Sequence, residues 1–232
     1  MIDSLLISCE HGGNRVPARY RSLFRGRQRQ LETHRGYDIG ALVMAREIAA
    51  HFAAPLVAAT VTRLLVDLNR SVGHRDLYSD ATRHSSPDEL RWILADHYLP
   101  YRRKAEEIVG KAARVRRRTI HISSHSFTPR LNGEVRTADI GLLYDPARPG
   151  EVDVCARWKA ALRAAAPTLR IRRNYPYAGK NDGLTAHLRC RYSASAYVGI
   201  ELEVNQALII GASRRWRDLR AVIIESLHGA LT

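Results

Sequence analysis

The sequence predicts an α/β fold: a mixed, mainly parallel sheet with helices on both faces, formed as one domain over residues 1–232. Three observations predict it. Short apolar runs rich in β-branched residues alternate with longer segments of helical period. The 232 residues are 45% hydrophobic, enough for a sizeable core. No repeat, low-complexity tract or Pro/Gly-rich linker marks a domain boundary.

The elements follow in order. Residues 4–9 (SLLISC) form a short apolar run that stops at a Gly-rich turn, as a buried strand does when it delivers residues to a site at its C-terminal end. Residues 39–52 have helical period, and Asp38 stands where an N-cap would. Residues 56–61 read as a strand, and the following TRLLVDLNR (62–70) alternates Arg63, Asp67 and Asn69 on one face. Residues 87–117 read as helix with a break near Pro100. Further strands are expected at 119–124, 140–144, 169–171 and 197–204, and further helices at 152–165 and 214–228. Between them, 174–184 (NYPYAGKNDGL) lacks periodicity and is expected to close over a site.

Composition narrows the function classes. No apolar run approaches the roughly 20 residues of a membrane span, and the segment before Glu10 is too short for a signal peptide, so a cytoplasmic protein without membrane partners is expected. Cys9, Cys155 and Cys190 have no paired spacing, which argues against a disulfide framework or a Cys-based zinc site. The formal charge of +14 favours anionic partners, small carboxylates among them. Its densest part, Arg102 to Arg118, reads as a solvated helix face. No aromatic or Gly-rich RNA motif accompanies it, so nucleic acid is not the expected partner.

The residue types that carry chemistry lie at predicted strand ends. His11 stands in a Glu-His-Gly-Gly turn, where small residues let a ligand approach the backbone. In THISSHSFTP-like order, residues 119–129 put His121, Ser123 and His125 on one face, with His125 the better ligand candidate and His121 the more central, structural one. Two histidines of this kind are usually completed by a carboxylate, with one position left for water; Glu10 and Asp38 are the candidates. The strand YVGIELEVNQ offers Glu201 and Glu203 as catalytic bases, since carboxylates on so apolar a strand are costly unless paired or used. An edge strand with its polar face in water is the alternative. Arg63 suits a carboxylate ligand and Asp67 suits fixing a guanidinium; a structural ion pair between them is equally compatible.

Together these motifs resemble the N-formylglutamate amidohydrolase family: CEHGGNRVP (9–17), Asp38, TRLLVDLNR (62–70), SHSFTP (124–129), GLLYDP (141–146), NDGLTAH (181–187) and IELEVNQAL (200–208), in family order. The resemblance implies a zinc-peptidase-like, phosphorylase/hydrolase-like fold. It implies one zinc ion on His11, Asp38 and His125, with Glu10 the competing acid, and Glu203 rather than Glu201 as general base. It further implies Arg63, Asn69, Arg70, Asn14, Thr185 and His187 around a small anionic N-acyl amino acid such as N-formylglutamate, in amino-acid (histidine) degradation. The chain departs from the pattern at Asn205, where the family has Arg, and at Ala207, where it has Asp. The rival readings are a peptidoglycan-type amidase or carboxypeptidase-like zinc hydrolase, a Cys9–His11 cysteine hydrolase, and a basic nucleic-acid-binding protein.

Overall fold

The computed structural model describes residues 3–211 and 213–232, so the first two positions of the expected N-terminal segment lie outside the described residues. Strand β1 (Ser4–Cys9) is followed by a 3-10 turn (Ala18–Phe24), a single helical turn α1 (Gln28–Leu31), helix α2 (Ala41–His51) and strand β2 (Leu56–Ala58). Ser86 caps helix α3 (Pro87–Ile93) by accepting from the Glu89 amide, with Pro87 in the first turn. The expected break lies between α3 and α4 (Leu99–Arg114): a π-helical turn, Leu94–Tyr98, precedes Pro100. Strand β3 (Thr119–Phe127), the two-residue strands β4 (Arg130–Leu131) and β5 (Glu134–Val135), and β6 (Ile140–Leu143) come next. Then come helix α5 (Pro149–Ala165), strand β7 (Ile171–Arg173), helix α6 (Leu184–Arg191), strand β8 (Tyr197–Asn205) and helix α7 (Ser213–Leu231).

The main sheet has six strands in the order β2-β1-β3-β8-β6-β7. All neighbours are parallel except β6 and β8, so β6 and β7 run against the other four. This is the predicted mixed, mainly parallel sheet. Its faces follow from period 2. Ile7, Ile120, Ile122, Val198, Ile200 and Leu202 join Met44, Ile48, Trp158 and Ile223 of α2, α5 and α7 in one core. On the other face Leu6, Val57 and Tyr197 pack with Ile93, Tyr101, Val109 and Leu188 of α3, α4 and α6.

Strand β8 lies in the middle of the sheet and all nine of its residues are buried, which rules out the edge-strand reading of its glutamates. Burying those carboxylates has to be offset by partners or by use. β3 is equally central and buried and runs three residues further than expected, so His125 lies inside the strand. β2 is shorter than expected, because past Ala58 the chain leaves the sheet and touches it again only at an Arg15–Val61 bridge. Arg102 departs from the solvated-face reading: it is buried, donates to the Leu68 carbonyl and lies over the Tyr98 ring, whereas Arg103, Lys104, Lys111, Arg114, Arg116 and Arg117 are exposed. Among the described residues no helix is long and apolar enough to cross a membrane.

Candidate active site

The site forms where β1, β3 and β8 end together, the place at which a parallel sheet presents its ligand-binding crevice. Gly12 and Gly13 bring the turn after β1 against the backbone beyond β2. A Cβ on either would stand 2.7 Å from the Ala59 carbonyl oxygen or 2.6 Å from that of Thr60. That close approach fixes His11 at the sheet edge. The His11 carbonyl accepts from the Asp38 amide, so the segment leading into α2 is tied to the same turn. Gly40, at φ 81°, takes the N-cap position of α2, and Asp38 makes no side-chain cap; its carboxylate is directed at the histidines instead.

His11, Asp38 and His125 each offer a donor atom within 4.8 Å of the others, and all three are buried. Asp38 Oδ2 lies 3.3 Å from His11 Nδ1 and 2.8 Å from His125 Nδ1. The outer ring nitrogens are also held by acids: His11 Nε2 lies 2.7 Å from Asp67 Oδ1, and His125 Nε2 lies 3.1 Å from Glu10 Oε2. An imidazole whose far nitrogen is fixed by a carboxylate is the usual arrangement of a metal-ligating histidine. Two imidazoles and one carboxylate with their inner atoms converging fit a divalent ion with a position left open.

Glu10 is therefore placed differently from its role as a competing ligand. Being the next residue after the strand end, it points back along β1 to the α4 side. There Tyr101 Oη donates to Oε1 and Ser123 Oγ donates to Oε2. Burial opposes its charge, but His125 and the hydroxyls hold the carboxyl well below the usual range. Asp38 is likewise held low against burial by His11 and His125. His125 is held well above the usual histidine range, burial being outweighed by Asp38 and Glu10.

Glu203 is paired in register with His125, and Glu201 with Ser123. The two carboxylates have different surroundings. Glu201 accepts from Thr185 Oγ1 at 2.6 Å. Glu203 is 5% exposed and its Oε2 has no hydrogen-bond partner among the described residues. Burial, with Asp38 and Glu201 adding to it against His125, pushes its carboxyl up to about 8.

A cavity of about 180 Å³ opens over these groups, lined by His11, Asp38, His125, Glu201 and Glu203 in its buried part and by His34, Leu131 and Tyr177 toward solvent. Arg63, Asn69 and Arg70 also line it. Arg63 forks onto Asp67 through Nε and Nη2, with Nη1 3.4 Å from Asp38 Oδ1, so both sequence readings of this pair hold at once. Arg70 donates through Nη1 to the Asp182 carbonyl, and Asn69 Oδ1 accepts from the Leu184 amide, which caps α6. These bonds, with Ser71 donating to Asp182, latch the 174–184 loop down as a wall of the cavity.

Asn14, Thr185 and His187 do not line the cavity. Asn14 sits half-buried beyond the Gly-Gly turn, Thr185 reaches the site only through Glu201, and His187 meets Glu106 at 2.7 Å. Helix α6 turns His187 toward α4, an orientation invisible without knowing where the helix starts. His121 is structural, bridging Tyr197 Oη and Ser8 Oγ at 2.7 Å each. Cys9 is buried, and burial beside Glu10 raises its thiol well above the usual range, which disfavours a cysteine nucleophile. Sequence reasoning missed Asp67 as the partner of His11, together with His34, Tyr177 and Asp182 of the cavity wall. Asp67 stands among charged neighbours whose folding in a non-strand turn hides its direction.

Comparison with known proteins agrees with this geometry. The family described as N-formylglutamate amidohydrolase (FGase) matches residues 3–210. No curated protein matches. Among solved structures, the gene product Atu2144 from Agrobacterium tumefaciens is similar over 99% of this chain and 90% of its own, at 26% identity and a TM-score of 0.81. An N-formylglutamate amidohydrolase from Ralstonia eutropha JMP134 is similar in fold over 97% of this chain and 94% of its own, at 19% identity and a TM-score of 0.69.

Proposed function

The chain belongs to the N-formylglutamate amidohydrolase family, and from that premise we propose that it hydrolyses the C–N amide bond of a small N-formyl amino acid such as N-formylglutamate in a metal-dependent reaction. The observation that carries the proposal is the convergence of His11, Asp38 and His125 beside a buried glutamate with a free oxygen. A divalent ion, zinc by this donor set, would be held by those three residues and would supply an electrophile for the carbonyl while making water more acidic.

The protein groups do the rest. Glu203, buried and facing the cavity with one unpartnered oxygen, takes the proton from the attacking water as its oxygen bonds to the formyl carbon. It returns that proton to the nitrogen as the C–N bond breaks, releasing formate and the free amine. Glu201, engaged by Thr185, stays in place as a neighbouring negative charge. Asp67 and Glu10 hold His11 and His125 in position through their outer nitrogens. Arg63 is committed to Asp67 and Asp38, so the substrate's α-carboxylate falls to Arg70 and to the amide of Asn69. The small cavity favours a small substrate over a peptidoglycan strand. A metabolite of amino-acid degradation, histidine breakdown included, is compatible with the cytoplasmic location expected from the sequence.

The test is formate release from N-formylglutamate and related N-formyl amino acids before and after dialysis against a chelator. Activity lost on chelation and regained with zinc is expected. Full activity in the metal-free protein would sink the metal proposal, and no hydrolysis across the series with metal restored would sink the substrate proposal.

A further inference from the structure

The cavity's cations are unequally available. Arg63 is spent on two aspartates, and Arg70 is anchored to the Asp182 carbonyl at the inner wall. Arg136 is different. It emerges from the β4–β5 hairpin, whose turn is Asn132–Gly133 with both residues at positive φ. Its guanidinium lies 5.0 Å from the ring centroid of Tyr177 and 6.0 Å from that of Phe127, and its Nη1 donates to Tyr177 Oη. Both aromatic residues line the cavity. Among the described residues Arg136 has no carboxylate partner within salt-bridge distance, whereas Arg118, Arg170 and Arg189 each have one.

The backbone of residue 136 is held from two sides. Its amide donates to the Pro129 carbonyl, and its carbonyl accepts from Asn205 Nδ2, which also donates to the Ala138 carbonyl. Asn205, buried at the end of β8, is therefore occupied in fixing the strand-side end of the hairpin. It does not line the cavity. The charge of Arg136 is felt at the cavity mouth: after burial, the charges of Arg35, Arg63 and Arg136 lower the His34 imidazole below its usual range.

We propose that Arg136, fixed by Asn205 and seated on Tyr177 and Phe127, is the specificity-determining cation of this site and takes the side-chain carboxylate of the substrate at the cavity mouth. This rests on the hydrolytic reading above for its substrate class. The site then selects N-formyl amino acids with an acidic side chain: Arg70 and Asn69 hold the α-carboxylate within, and Arg136 holds the distal one. An unpaired guanidinium on aromatic faces suits this task, because its fork stays free for a carboxylate while stacking limits the freedom it would lose on binding.

N-formylglutamate and N-formylglutamine test it, since they differ only in the distal charge. Both are compared by steady-state hydrolysis and, separately, by titration calorimetry on the full chain. For the wild type, at least tenfold preference for N-formylglutamate is expected. Arg136→Ala should raise the KM and Kd for N-formylglutamate about tenfold while moving those for N-formylglutamine less than twofold and leaving kcat near its original value. Arg136→Lys should restore most of the preference. A wild type that does not discriminate, or a preference that survives Arg136→Ala, overturns the assignment. Discrimination in binding that Arg136→Ala abolishes, with no hydrolysis of either compound, supports Arg136 and overturns the proposed reaction instead.

Discussion

Glu203 and Glu10 are both buried carboxylates beside His125, and they differ in how their oxygens are used. Glu10 has partners on both, Tyr101 on one and Ser123 with His125 on the other. Glu203 keeps one oxygen free within the cavity. Under the proposed mechanism Glu203→Gln should lower kcat by about 100- to 10,000-fold with bound metal unchanged. Glu10→Gln should weaken metal affinity by about 10- to 100-fold and leave kcat at saturating metal much closer to wild type. Metal titration alongside kinetics separates the two; the opposite pattern would exchange their roles. At this scale the sequence disclosed residue types and left directions open. His11, Asp38, His125 and Glu203 were readable because a strand end and period 2 fix where each points. Glu10 was ambiguous because the first residue past a strand can turn either way. His187 was misjudged because its direction depends on the phase of α6, set by Asn69 capping from 115 residues away in the chain.

At the scale of elements, the apolar runs of β1, β3 and β8 announced themselves because burial on both faces leaves few alternatives. The β4–β5 hairpin did not, since two-residue strands carry no period; its only signal is Asn132–Gly133. Packing inside elements decides the sign of glycine substitutions. Gly141 in β6 faces the backbone of the 174–184 loop, where a Cβ would stand 1.9 Å from the Tyr175 carbonyl oxygen and 3.2 Å from Glu203 Cβ. Gly229 in α7 has open space around the corresponding position. Gly141→Ala should therefore destabilise by about 1–3 kcal/mol as the loop is pushed away. Gly229→Ala should stabilise by about 0.5–1 kcal/mol through helix propensity. Thermal unfolding should show Tm shifts of opposite sign, on the order of 2–4 °C per kcal/mol in a chain of this size. A neutral Gly141→Ala would mean that the loop is not packed on β6.

At the scale of the molecule, α/β class, single-sheet topology and the strand-end site follow from alternation of elements, while the order of strands depends on contacts that no local pattern records. The polar face shared by β1, β3 and β8 shows how such contacts set a global property. His121, fully buried at the centre of the sheet, links Ser8 of β1 to Tyr197 of β8. Two hydroxyl partners satisfy a neutral imidazole, and burial, with Arg189 and His125 adding to it against Glu10, lowers it to about 4. The unfolded chain has the ordinary value of about 6.5. Above that pH neither state binds the proton and the stability is complete. As pH falls through 6.5 the unfolded state takes up a proton that the native state refuses, so stability declines by about 1.4 kcal/mol per unit until the native imidazole titrates near 4, about 3 kcal/mol in all. His121→Gln should start lower, having lost a packed ring, and should decline less steeply over the same window. Urea midpoints of both proteins between pH 7 and 4.5 give the comparison, with the other titrating groups common to the two. Parallel curves would show that the imidazole is already protonated in the native sheet, and its hydroxyl partners would then both have to accept.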